Sequence, residues 1–287
     1  MSMRVGLIAS VSLVPFLWSP VEGQIEVWGT EGQVDFSEFR IANVVPRDQP
    51  LAPIFEGWFF NPDGTKTASW GYFNMNTEET FNIPLGPNNF VEPAEFDGLQ
   101  PTYFLPAPSE RGRNRRHEST FAITVPGDYD GQITWTIRMR GMTLSSPSSF
   151  GTDAYEMLNV ESSTSAPVSP MMRIADSAPM RGRVGPTAGP VTVAVGGSLP
   201  LELGLDLLGR QNSIVTWYHH QGPGEVTFAQ REFEIEGAAE GEFELQTLAT
   251  FSEPGDYVLR ATALETRSAL VQHCCWTNGY LYVTVTP

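Results

Sequence analysis

Two cysteines, adjacent at Cys274 and Cys275, are all that 287 residues contain. Such a pair cannot form a long-range disulfide within one chain, so stability must come mainly from hydrophobic cores. Lysine is scarcer still, with Lys66 the only one. Because arginine supplies the other basic side chains, the composition reads as GC-rich coding and a bacterial origin. Charged residues make up only 17% of the chain against 41% hydrophobic, which excludes a disordered polymer. Basic side chains are outnumbered 33 to 17, giving a net charge of −16, and this disfavours nucleic acid or anionic lipid as whole-surface partners. Long apolar runs are missing as well. The longest candidate, Val5–Trp18, spans 14 residues and contains Pro15, short of the roughly 20 a membrane-spanning helix needs. No Asn-x-Ser/Thr glycosylation site occurs. Catalytic signatures are absent too: there is no Gly-x-Ser-x-Gly elbow, no His-Glu-x-x-His, no phosphate-cradling loop and only four histidines.

What is present begins with an export signal. Met1 to Arg4 supplies a positive start, the apolar run follows, and Val21-Glu22-Gly23 offers small residues at the cleavage spacing. Cleavage is expected after Gly23, which would place the mature protein in the periplasm or outside the cell. The 27 glycines and 23 prolines argue against long helices. An all-β fold of two β-sandwich domains is expected, with residues 24–161 as the first domain, 162–190 as a Pro/Ser-rich linker and 191–287 as the second.

In the first domain, Ile54–Phe60 and Thr67–Asn74 flank Asn61-Pro-Asp-Gly-Thr65, a turn sequence that predicts an antiparallel hairpin. A second hairpin is expected around Pro126–Gly131, because Phe121, Ile123 and Val125 before it and Ile133, Trp135, Ile137 and Met139 after it alternate with polar residues. In the second domain about seven strand-like runs fill roughly 100 residues, the pattern of an immunoglobulin-like sandwich. Trp217 falls where the buried tryptophan of the third strand belongs. Tyr257, directly after Glu253-Pro-Gly-Asp256, falls where a tyrosine corner belongs, and both are expected in the core.

The stretches Gly222–Phe228 and Ala249–Arg260 resemble immunoglobulin-like domains of the polycystic-kidney-disease repeat type, although the aromatic-Asp-Phe-Gly-Asp-Gly turn of that family is missing after Trp217. The chain as a whole resembles a group of uncharacterised secreted bacterial two-domain β-sandwich proteins. Glu56–Gly64 and Ile83–Asn89 carry the likeness in the first domain and Cys274-Cys-Trp-Thr-Asn278 carries it in the second. The resemblance implies architecture and no activity.

Candidate binding residues fall into three groups. Eight aromatics lie between Phe55 and Phe81, and consecutive ones must point to opposite faces, so either both faces are covered or one is exposed. Exposed rings at Trp58, Trp70 and Tyr72 would stack on sugars or anchor a protein; burial is the ordinary fate. Arg111, Arg113, Arg115 and Arg116 read as an exposed loop, or alternatively as a local grip on an acidic partner. Cys274 and Cys275 are expected to form a vicinal disulfide beside His273 and Trp276, with buried thiols, an intermolecular bridge and a metal site as alternatives. His219-His220 and His273-Cys274-Cys275 would make a metal site only if the fold joined them, and immunoglobulin-like strand order places them at opposite ends. Asp128-Tyr-Asp130-Gly131 is a fragment of a calcium loop without its later ligands, and reads as a turn. The combined expectation is a non-catalytic extracytoplasmic binding or scaffolding protein of the bacterial surface or envelope. It would have no cofactor or metal, no nucleic-acid partner and no membrane span, and it would bind a protein or glycan. A carbohydrate-binding accessory protein or a glycan hydrolase is the alternative. A flat exposed strip of Trp58, Trp70 or Tyr72 beside two carboxylates would distinguish it.

Overall fold

Strand β1 (Leu51–Phe60) turns at Asn61–Thr65 into β2 (Lys66–Asn74), as the turn chemistry predicts. The Asn61 amide donates to the Thr65 carbonyl at 2.8 Å, and Gly64 takes the left-handed φ of 84° that closes the turn. β2 also pairs with β6 (Arg116–Val125), giving a sheet of order β1-β2-β6. A facing sheet has the order β4-β7-β8, from Asn89–Glu92, Thr134–Met139 and Met142–Pro147, and the short strands β3 (Phe81–Asn82) and β5 (Tyr103–Phe104) pair beside them. The chain is described here from a computed structural model, which covers residues 47–106, 116–157, 169–208, 212–235, 242–265 and 276–287.

The expected hairpin between Phe121–Val125 and Ile133–Met139 does not form. β6 pairs with β2 and β7 pairs with β4 and β8, so the turn at Pro126–Gly131 carries the chain from one sheet to the other. The alternation was a true signal of one buried face, because Phe121 and Trp135 meet edge-to-face at 5.1 Å in the core between the sheets. Alternation identifies the buried face of a strand but not its neighbour. The same core stacks Trp70 on Phe121 at 5.4 Å and holds the Trp135 indole N–H on Asn89 Oδ1 at 2.9 Å. At its edge the only lysine of the chain is enclosed by aromatic rings. Lys66 Nζ lies 5.6 Å from the ring centres of Trp58 and Phe60 and 5.9 Å from that of Phe150.

The later residues build a second core between a five-stranded sheet and a four-stranded one. The first has the order β10-β17-β16-β12-β14 (Thr187–Ala194, Trp276–Thr286, Gly255–Glu265, Ser213–Gln221, Glu232–Ile235). The second has the order β13-β15-β11-β9 (Val226–Phe228, Glu242–Phe251, Ser198–Asp206, Met171–Ile174). Two of these strands, β9 and β14, have no counterpart in the sequence pattern. β9 lies inside the stretch read as linker, where Met172 and Ile174 are buried in the second core. Trp217 and Tyr257 are each 1% exposed in that core. The Tyr257 hydroxyl donates to the Glu253 carbonyl at 2.8 Å and accepts from the Gly224 amide at 3.1 Å, the bond pattern of a tyrosine corner. Gly222 makes room for the ring: a Cβ there would stand 2.1 Å from Tyr257 Cδ1. All the described residues fall within one compact unit, Val45–Pro287.

Candidate functional site at the seam between the two cores

β1 carries a carboxylate in an otherwise apolar run, Ile54-Phe-Glu-Gly-Trp-Phe-Phe60, and this is where the two cores are tied. Glu56 is buried and accepts hydrogen bonds from the Ser69 hydroxyl at 2.8 Å and the Ser119 amide at 3.0 Å. Arg116 approaches its Oε1 at 3.2 Å and Arg183 approaches its Oε2 at 3.0 Å. Arg183 also donates to Ser69 Oγ at 2.7 Å. Burial lowers the proton affinity of the Arg183 guanidinium, and Glu56 beside it works in the opposite direction.

A second set of bonds runs from β16 and β17. Buried Arg260 donates to the Ser119 carbonyl at 2.8 Å, and Asn278 Nδ2 donates to the same oxygen at 2.9 Å. Arg260 also lies over the Tyr218 ring at 4.7 Å, while its Nε is buried without a hydrogen-bond partner. A third set ties the end of β12 to residues 98–102. His220 Nε2 is 2.9 Å from the Leu99 carbonyl, the Thr102 amide donates to the His220 carbonyl at 2.9 Å, and Gln221 Nε2 donates to the Gly98 and Gln100 carbonyls at 2.9 and 2.7 Å.

The described histidines all gather near this seam. His117 stacks on Tyr72 at 4.5 Å, and His219 stacks on Tyr103 at 4.2 Å with neither ring nitrogen hydrogen-bonded. Burial holds His117 and His219 down to about 4, and burial together with the Arg260 charge holds His220 down to about 3. All three are therefore neutral near pH 7. Beside His220, burial pushes the Tyr280 phenol up to about 12. A cleft of about 100 Å³ opens here, with Phe121 and Tyr280 in its walls and Leu99, Val184 and Tyr282 among its lining residues.

Trp58, Trp70 and Tyr72 are no more than 4% exposed, so the flat aromatic strip proposed as a sugar platform is not presented. The reason is packing: Trp70 stacks on Phe121, Tyr72 packs edge-on to Phe104, and Trp58 lies under Lys66. Arg116 is likewise corrected from exposed loop to internal ion pair. Arg111, Arg113, Arg115, His273, Cys274, Cys275 and the export signal lie outside the described residues. Trp276 opens β17, half-buried, opposite Leu264. Among the described residues no three His, Cys, Asp or Glu side chains converge in a way that could hold a metal ion. Sequence reading missed Glu56, Arg183 and Arg260. The available signal was a single charged residue inside an apolar strand pattern at Glu56 and at Arg260.

No family model matches the chain, and no curated protein matches it. Among solved structures, it is similar to the PapD-like domain of human CEP192 at 11% identity, over 45% of this chain and 94% of that one, with a TM-score of 0.30. A protein of unknown function from Porphyromonas gingivalis matches at 8% identity, over 82% and 100%, with a TM-score of 0.27. A domain of intimin matches at 9% identity, over 81% and 97%, with a TM-score of 0.25.

Proposed function

We propose that this protein is a non-catalytic extracytoplasmic module that binds or scaffolds at the bacterial cell surface or in the envelope. In this reading it is exported by removal of residues 1–23 and built of two sandwich domains, the second of which takes in β9 and β10 from within and beside the stretch read as linker. The observation that supports it is the seam. Arg183, Arg260 and Asn278 hold one core against the other through buried bonds to Glu56, Ser69 and Ser119, and a fixed mutual geometry is what a scaffold or binding module requires. Buried ion networks of this kind serve register and specificity more than net stability. The vicinal pair Cys274-Cys275 beside Trp276, and the arginines Arg111, Arg113 and Arg115, are the proposed contact elements toward a protein or glycan partner.

The test is fractionation followed by binding. Expressed from its first methionine in a bacterium, the chain is expected outside the cytoplasm with Gln24 at its start. The purified mature protein is expected to saturate isolated envelope or an arrayed glycan without cleaving it. Retention of residues 1–23 on a cytoplasmic product, or release of reducing sugar from any arrayed glycan, would overturn the reading.

A further inference from the structure

We propose that the cleft at the seam is a binding site for a small carboxylate with an aromatic or branched apolar body. This goes beyond the scaffolding reading and stands or falls without it. Size gives the first argument. The cleft measures about 100 Å³, of the same order as the ~150 Å³ apolar cavity that accepts a benzene ring. The second argument is the character of its lining. Leu99, Val184 and Tyr282 are 45%, 43% and 41% exposed and come from three separate segments, yet they surround one depression whose walls include Phe121, Val258 and Tyr280. Exposed large apolar side chains scattered singly mean little, but gathered around a concavity between two cores they mark a ligand site.

Charge selects the ligand. In a chain with 33 acidic and 17 basic residues, the lining contains no carboxylate, and its one charged side chain is Arg183. Behind the wall lies Arg260, close enough to His220 and Tyr280 for its charge to act on both. Among the described residues Arg260 has no carboxylate partner; it donates to a neutral carbonyl, and its Nε has no acceptor. Two carboxylates act on Arg183, Glu56 directly and Glu118 at longer range. Beside this low-dielectric cavity, where charge is felt most strongly, the Arg260 charge therefore stands without a carboxylate of its own among the described residues. An anionic head on an apolar body answers both features. A cation would be repelled, and a neutral ring would use only the walls.

Sodium benzoate is the probe, with benzyl alcohol, benzylamine and sodium acetate as controls, titrated at about pH 7 into the purified protein by calorimetry and ligand-observed NMR. Benzoate is expected to bind at one saturable site with a millimolar Kd, the range open to so few atoms. Benzyl alcohol and acetate are expected to bind at least about tenfold more weakly, a difference of ~1.4 kcal/mol, and benzylamine not measurably. Leu99→Glu and Val184→Glu each place a negative charge at an exposed lining position, where folding is least affected, and each is expected to weaken benzoate at least about tenfold. Circular dichroism and melting confirm the fold of each variant, and one folded variant suffices. Non-saturable benzoate binding, equal binding of benzyl alcohol or benzylamine, or unchanged benzoate affinity in a folded variant would each refute the site.

Discussion

Glu56 and Arg183, 127 positions apart in the chain, meet at 3.0 Å in a buried seam and share Ser69 as a common partner. Each is a charge removed from water, and their pairing offsets part of the cost of burying both.

Removing one side of that pair is therefore predicted to be severe. Glu56→Gln leaves buried Arg183 and half-buried Arg116 without the Glu56 carboxylate, and a loss of about 3–5 kcal/mol is expected in urea melts. The charge-free double variant Glu56→Leu with Arg183→Met should recover part of that loss. A single-variant loss below about 1 kcal/mol, the size of an exposed ion pair, would show that the seam is solvated.

Acid should loosen the molecule before it reaches the carboxylate range. His117 and His219 titrate near 4 and His220 near 3 in the folded protein, against about 6.5 in an unfolded chain. The unfolded state takes up these protons first, so the stability due to neutral histidines is intact above about pH 6.5 and is lost as pH falls toward 4. Charges facing the rings lower the folded values further and so widen the window of loss toward acid: Arg260 lies near His117 and His220, and Arg231 lies near His117. Each histidine contributes a slope of up to about 1.4 kcal/mol per pH unit in that window. Denaturant midpoints measured at about pH 7, 5.5 and 4.5 test this, and His219→Phe, which keeps the stack on Tyr103, should reduce the slope by one histidine's share.

The second core offers a paired test of aromatic packing and of one hydroxyl. Trp217→Ala is expected to cost about 3–5 kcal/mol as a large-to-small core change. Tyr257→Phe keeps the ring and removes only the bonds to Glu253 and Gly224, with an expected loss of about 1 kcal/mol. Equal losses in the two variants would mean that the corner, rather than the ring packing, dominates that end of the sandwich.

For the adjacent cysteines the prediction is a mass. A bridge between Cys274 and Cys275 makes the intact monomer about two hydrogens lighter than its reduced form. A reductant-sensitive dimer, or two thiols that alkylate without prior reduction, would reject the bridge.

Much of the fold is legible from period and turn chemistry, because both are local. The β1–β2 hairpin follows from Asn61-Pro-Asp-Gly-Thr65, and the tyrosine corner follows from Glu253-Pro-Gly-Asp256 ahead of Tyr257. Pairing beyond the hairpin is not local. Pro126–Gly131 has the composition of a hairpin turn, yet whether β7 lies beside β6 or across the core from it depends on β4 and β8, which take both edges of β7. Short strands such as β9 and β14 carry too few residues for a period to stand out. The seam was hidden for a related reason. Arg183 sits in Arg-Gly-Arg-Val-Gly, which looks like solvated loop, and only Glu56, far away in the chain, makes it a buried group. A lone charge in an apolar strand shows that a partner exists without showing which residue it is.

The aromatic enclosure of Lys66 has a practical consequence for handling this protein. Coupling reagents that seek side-chain amines have one target in the whole sequence, and its nitrogen lies among Trp58, Phe60 and Phe150 and donates to the Tyr129 carbonyl at 3.3 Å. Dimethylation keeps the charge on that nitrogen, whereas acylation removes it along with its attraction to the rings. Tryptophan emission before and after each reaction would then report separately on occupancy and on charge, turning a compositional scarcity into a single-site optical sensor.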